Sequence, residues 1–245
     1  MTFSRWMTGL LLALSSSLAL AAGGDGDLDH AEINVFDQAS LQRGAAMFAN
    51  YCSGCHGAQF MRYQRLIEDL GMSEEEVLDK LAFGEREPAD YMLAAMSSSD
   101  AEEWFGVAPP DLSLTARAKG PDWIYTFLRS YYMTENGWNN TVLENASMPH
   151  VLWQLQGIQR PVTETTEVDG ESKTEIVGFE IEQPGLLSQA EYDSVVLDLV
   201  AFLEYVAEPA LLKRERMGIW VLLFLAAFTF LSYIMYKEYW KEVKK

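Results

Sequence analysis

Apolar positions recur at helical spacing in two stretches that lie far apart in the chain. Across residues 41–51 (LQRGAAMFANY), Leu41, Ala45 and Phe48 share one face, and Gly44 offers a close backbone approach to another element. Across residues 188–207, Tyr192, Val195, Val196, Leu199, Phe202, Leu203 and Val206 form a second stripe, and Pro209 closes the run. Each stripe needs a surface to bury against, so the pattern predicts two helices that cross each other. Shorter signals fill the interval. Ser73 heads Glu74-Glu75-Glu76 in a capping-box arrangement, and Pro121-Asp122-Trp123 opens a helix reaching to about Tyr132. Residues 151–156 read as one more helix, and Met92, Met96 and Met133 stand in apolar contexts that also read as helical core.

Between residues 160 and 182 the period changes. Polar, β-branched stretches (PVTETTEV and KTEIVGFEI) flank Asp169-Gly170, which predicts a β-hairpin inserted into an otherwise mainly α fold. Its seven acids against Arg160 and Lys173 mark it as a solvated arm or a subunit contact.

Two further apolar runs are of another kind. Residues 217–236 carry no charge and, at about 1.5 Å per residue, are long enough to cross a hydrocarbon core of about 30 Å. A transmembrane helix is predicted there, with Trp220, Tyr233, Tyr236, Tyr239 and Trp240 as interfacial anchors. Near the start, Arg5 precedes an apolar stretch over 7–20, and Ala19 and Ala21 have signal-peptidase spacing; an uncleaved anchor is the alternative. The expected organisation is a signal peptide over 1–21, an exported domain over 22–212, a membrane anchor over 213–236 and a cytoplasmic tail over 237–245.

Charge narrows the functions. The formal net charge of −18 excludes the basic footprint that nucleic-acid binding requires. Residues 74–103 hold ten acids against Lys80 and Arg86, a field that would steer a basic soluble partner, or serve only solubility.

Only two cysteines occur, in Cys52-Ser53-Gly54-Cys55-His56, and this is the Cys-x-x-Cys-His pattern of c-type haem attachment. Two thiols add to the two vinyl groups, and the next residue supplies an axial imidazole. A redox-active pair would need a thioredoxin-like βαβ unit, and zinc would need more ligands than His30 and His150 can add. One covalent haem c follows, held by Cys52, Cys55 and His56. For the sixth ligand, Met148 is preferred because Pro149 holds it extended in a loop of poor helix formers. Met133, Met96 and His150 remain as alternatives. No phosphate loop, nucleophile motif or repeat is found, so the chain is read as an electron carrier and not as an enzyme by itself.

These residues together resemble the cytochrome c1 family, the haem subunit of the ubiquinol:cytochrome c reductase (bc1) complex, in its bacterial form. The resemblance rests on Arg43-Gly44 before the haem motif, Ala108-Pro109-Pro110-Asp111-Leu112-Ser113, Ala116-Arg117-Ala118, Asp122-Trp123-Ile124-Tyr125, Met148-Pro149 and the C-terminal anchor. It implies a class I cytochrome c-like domain in the periplasm of a respiring bacterium, tethered to the inner membrane by one helix. It implies electron transfer from a Rieske iron-sulfur protein to a soluble cytochrome c, beside cytochrome b in a dimeric complex. It also implies that Met148 is the methionine ligand, and that Pro109 and Pro110 pack near His56 and offer a carbonyl to its Nδ1. Arg117 would meet a haem propionate, with Lys119 competing because this stretch is shorter than in relatives, and Trp123 would line the pocket.

Overall fold

A computed structural model describes residues 28–84, 86–168 and 171–242. The segment read as a signal peptide and the Asp169-Gly170 turn lie outside the described residues. The first helix, α1 (Gln38–Met47), starts where the Asp37 carboxylate accepts from the amides of Ala39 and Ser40. It runs on through one π-turn, Phe48–Cys52, so the helix delivers the first cysteine at its end.

The two stripes do cross. Helix α8 (Gln189–Ala207) begins at a complete capping box between Ser188 and Glu191 and buries Tyr192, Val196, Leu199, Phe202, Leu203 and Val206. A methyl group at Gly44 would lie 2.0 Å from the Asp198 carbonyl oxygen and 2.7 Å from Phe202 Cβ. Glycine is therefore what lets the two backbones meet. Beside that contact Phe48 and Phe202 pack with ring centroids 5.7 Å apart. Asp198, mid-helix and buried, is held by Arg43 Nε at 2.6 Å, Arg43 Nη2 at 2.8 Å and Ser40 Oγ at 2.6 Å. A charge at that depth needs such a bidentate partner.

The remaining elements surround this crossing. They are β1 (Ala58–Arg62), α2 (Tyr63–Leu70), α3 (Glu74–Glu76, continued by a π-turn Val77–Leu81), β2 (Tyr91–Met92) and α4 (Ser98–Phe105). Then come α5 (Thr115–Lys119), α6 (Pro121–Arg129), β3 (Tyr131–Thr134), β4 (Gly137–Asn140), α7 (Trp153–Gln156), β5 (Gly157–Val168) and β6 (Glu171–Pro184). Among the described residues every sheet is a two-stranded antiparallel pair: β1 with β2, β3 with β4, and β5 with β6. The mainly α reading holds, with the hairpin longer than the sequence signal by three residues at its start and two at its end.

Three expectations need correction. Met92 lies on β2 and Met133 on β3, and Met96 follows in a loop, so none of them is helical. The helix opened by Pro121 stops at Arg129, three residues early, because the buried Asn140 side chain donates to the Phe127 carbonyl at 2.8 Å and turns the chain into β3. The short helix after Met148 begins at Trp153 instead of Val151.

The last helix, α9 (Leu211–Tyr239), contains a candidate membrane span, Met217–Tyr239, of mean hydropathy 2.1 and with its side chains exposed. Only Glu208, Pro209 and Ala210 separate it from α8.

Candidate haem-binding site

The Cys52–His56 segment is a tight turn closing on itself, with the amides of Cys55 and His56 donating to the Cys52 carbonyl at 3.0 and 2.8 Å. Both thiols are free and half-buried. Burial, with Cys55 adjacent, pushes the Cys52 thiol up to about 12, whereas a redox-active dithiol needs a thiol poised near neutrality. Among the described residues no three His, Cys, Asp or Glu side chains are placed to hold a metal ion.

His56 is buried, and its Nδ1–H donates to the Pro110 carbonyl at 2.7 Å. Because a carbonyl only accepts, this bond fixes the tautomer and leaves the Nε2 lone pair for coordination. The thiols, the turn and the imidazole therefore fit a covalent haem. The turn is also clamped from outside, since the amides of Ala95 and Met96 donate to the Ser53 and Gly54 carbonyls at 3.0 Å each. That places the backbone of Met96 on the attachment turn itself.

Met148 packs half-buried against the main core, as does Cys52. Its loop is pinned by aromatic residues of the β3–β4 hairpin. Tyr131 Oη donates to the Met148 carbonyl at 3.1 Å, and the Tyr131 ring stacks on His150 with centroids 4.9 Å apart and planes 5° off parallel. Trp138 also meets His150, with ring centroids 5.1 Å apart and planes nearly perpendicular. His150 is thus a core ring, and burial lowers its pKa to about 4, which keeps it neutral.

The remaining sequence-derived residues divide. Trp123 stacks on Phe127 at 5.0 Å with Lys119 Nζ 5.4 Å from its ring centroid. Arg117 is exposed and pairs instead with Glu208, the residue just after α8, at 3.8 Å. The two cations that compete for one role therefore point to different neighbours. Pro109 is half-buried and Pro110 exposed beside His56. Sequence reasoning missed Asp111 and Ser113 as side chains that bond to the chain after His56, although an acid two residues before a serine is a turn signal.

The cytochrome C1 family profile matches residues 29–167 and 185–243. The chain belongs to the cytochrome C1 family. Its relatives include a cytochrome c1 of Allochromatium vinosum, 47% identical over 95% of this chain and 96% of that one. A protein named ammonia monooxygenase gamma subunit, from Nitrosomonas europaea, is 43% identical over 98% and 99%. A cytochrome c1 of Rhodospirillum rubrum is 29% identical over 85% and 84%. The cytochrome C1 profile passes over residues 168–184, which hold strand β6, whereas strand β5 lies inside the match up to residue 167.

Proposed function

We propose that this cytochrome C1 family member is the haem subunit of a ubiquinol:cytochrome c reductase, taking single electrons from a Rieske iron-sulfur protein and passing them to a soluble c-type cytochrome. The observation that carries the reading is the His56 Nδ1–H bond to the Pro110 carbonyl immediately after two free cysteines at haem spacing. When bound, the haem supplies a one-electron Fe(III)/Fe(II) couple. The chain's own part is to hold it through Cys52, Cys55 and His56, to present the Met148 thioether as sixth ligand, and to exclude water with the core at the α1–α8 crossing. Lys119 above Trp123 is better placed than Arg117 to meet a propionate, because Arg117 is engaged by Glu208.

The domain over 22–212 is assigned to the periplasm as a class I haem domain, following a cleaved signal peptide, with 237–245 on the cytoplasmic side. Glu74, Glu75, Asp79, Asp100, Glu102 and Glu103 are exposed, which suits an acidic face that steers a basic cytochrome in a salt-dependent way. Cytochrome b and the iron-sulfur protein are the partners in a dimeric complex.

Two measurements test this. Met148→Leu should abolish the weak near-infrared band of methionine-ligated ferric haem; its retention would move the ligand to another residue. Solubilising the chain from its native membrane should bring cytochrome b and the iron-sulfur protein with it. Recovery with monooxygenase subunits would instead favour the assembly named for the Nitrosomonas europaea relative.

A further inference from the structure

The carbonyl that orients His56 belongs to a residue with no amide hydrogen, so Pro110 cannot be anchored through its own N–H. Its φ is set by the pyrrolidine ring, so the plane of the Pro110–Asp111 peptide turns about the Pro110 Cα–C bond and, on the Asp111 side, about the N–Cα bond. That side is fastened by side-chain bonds. Asp111 Oδ2 accepts from the Gln59 amide at 2.8 Å and Asp111 Oδ1 from the Ser113 amide at 2.9 Å. The Leu112 amide donates to the Gly57 carbonyl at 2.8 Å, and the buried Ser113 Oγ accepts from the Phe60 amide at 3.1 Å. Segment 110–113 is thus stitched, residue after residue, to segment 56–60.

Gly57 shows how tight the seam is. A Cβ there would lie 2.9 Å from Asp111 Oδ2 and 3.1 Å from the Ala94 nitrogen. The carboxylate fills the place a side chain would take, one residue from the axial histidine.

We infer that Asp111 is a positioning residue that holds the Pro110 carbonyl against His56 Nδ1–H and thereby sets the electron density the imidazole gives to iron. The inference rests on the haem reading above. A hydrogen bond from Nδ1 raises ligand basicity and favours the ferric state, so loosening it raises the reduction potential.

The experiment uses the full-length chain with its haem. Asp111→Asn keeps the shape but replaces one acceptor oxygen by a donor facing an N–H. Gly57→Ala keeps every charge and pushes the carboxylate off its seat. Both variants should retain covalent haem and the near-infrared band, show a higher midpoint potential, and exchange the His56 Nδ1 proton about tenfold faster in reduced, 15N-histidine-labelled protein. Unchanged potential and unchanged exchange in both variants would overturn the inference. A shift in Asp111→Asn alone, with proton exchange as in the parent chain, would overturn it too, because the carboxylate would then act by its charge and not by position. If the parent chain carries no covalent haem, the haem reading fails first, and that result is seen on a haem-stained denaturing gel before any variant is made.

Discussion

Around Gly44 the chain is held by residues far away in sequence, whereas between Gly157 and Pro184 it is held mostly by itself. Arg43 and Ser40 reach Asp198 over 155 and 158 positions, and no short window of sequence announces the pair. Strands β5 and β6 pair along their own length from Gly157↔Pro184 to Val168↔Glu171, and Val162, Val177 and Ile181 stay exposed. The base of the arm is tied in. There the buried Gln159 donates to the carbonyls of Arg129 and Tyr131 at 2.9 and 2.6 Å, and Phe179 lies 6.0 Å from Tyr132. The contrast shows where this fold has latitude. A two-stranded ribbon can lengthen one pair at a time at little cost, while a helix crossing with backbone contact tolerates nothing larger than glycine.

That comparison breaks most readily at Gly44. Gly44→Ala should cost about 3 kcal/mol or more, because the clash is with a backbone oxygen that cannot rotate away. Denaturant melts of the holo chain measure this, and a loss below about 1 kcal/mol would mean the crossing is softer than described. A smaller effect is expected at Glu204 on α8, whose Oε2 is buried without a hydrogen bond among the described residues. Burial, reinforced by Glu208, raises its pKa. The folded state therefore binds the proton more tightly than the unfolded one, and the resulting penalty is present at neutral pH and absent below the usual carboxylate range. Glu204→Gln should raise the melting temperature at pH 7 and lose that gain by about pH 4; an equal gain at both values would exclude titration as the cause. The least effect belongs to the arm. Replacing Val162–Gly178 by Asn-Gly should leave haem content and midpoint potential unchanged and shift stability by no more than about 0.5 kcal/mol. A lost haem would show that the arm belongs to the core after all.

The same contrast governs what could be read without a structure. The haem turn, the stripe of α8 and the arm are local patterns, and each appears where its residues predict it. Met92 and Met133 lie on strands and not helices because a short apolar run has no period of its own, and partners elsewhere decide between helix and strand. For Met133 the decision is made by Asn140, which takes the Phe127 carbonyl and ends α6. The pinning of the Met148 loop by Tyr131 and His150 is likewise invisible locally, since it depends on a hairpin folding back over it.

The three residues between α8 and α9 can span at most about 10 Å when fully extended. Lys213 shortens even that reach by pairing with the buried Asp69 at 3.1 Å. A redox centre on so short a leash does no travelling. It keeps a fixed post, held to the start of α9 by the three-residue linker and by the Lys213–Asp69 pair.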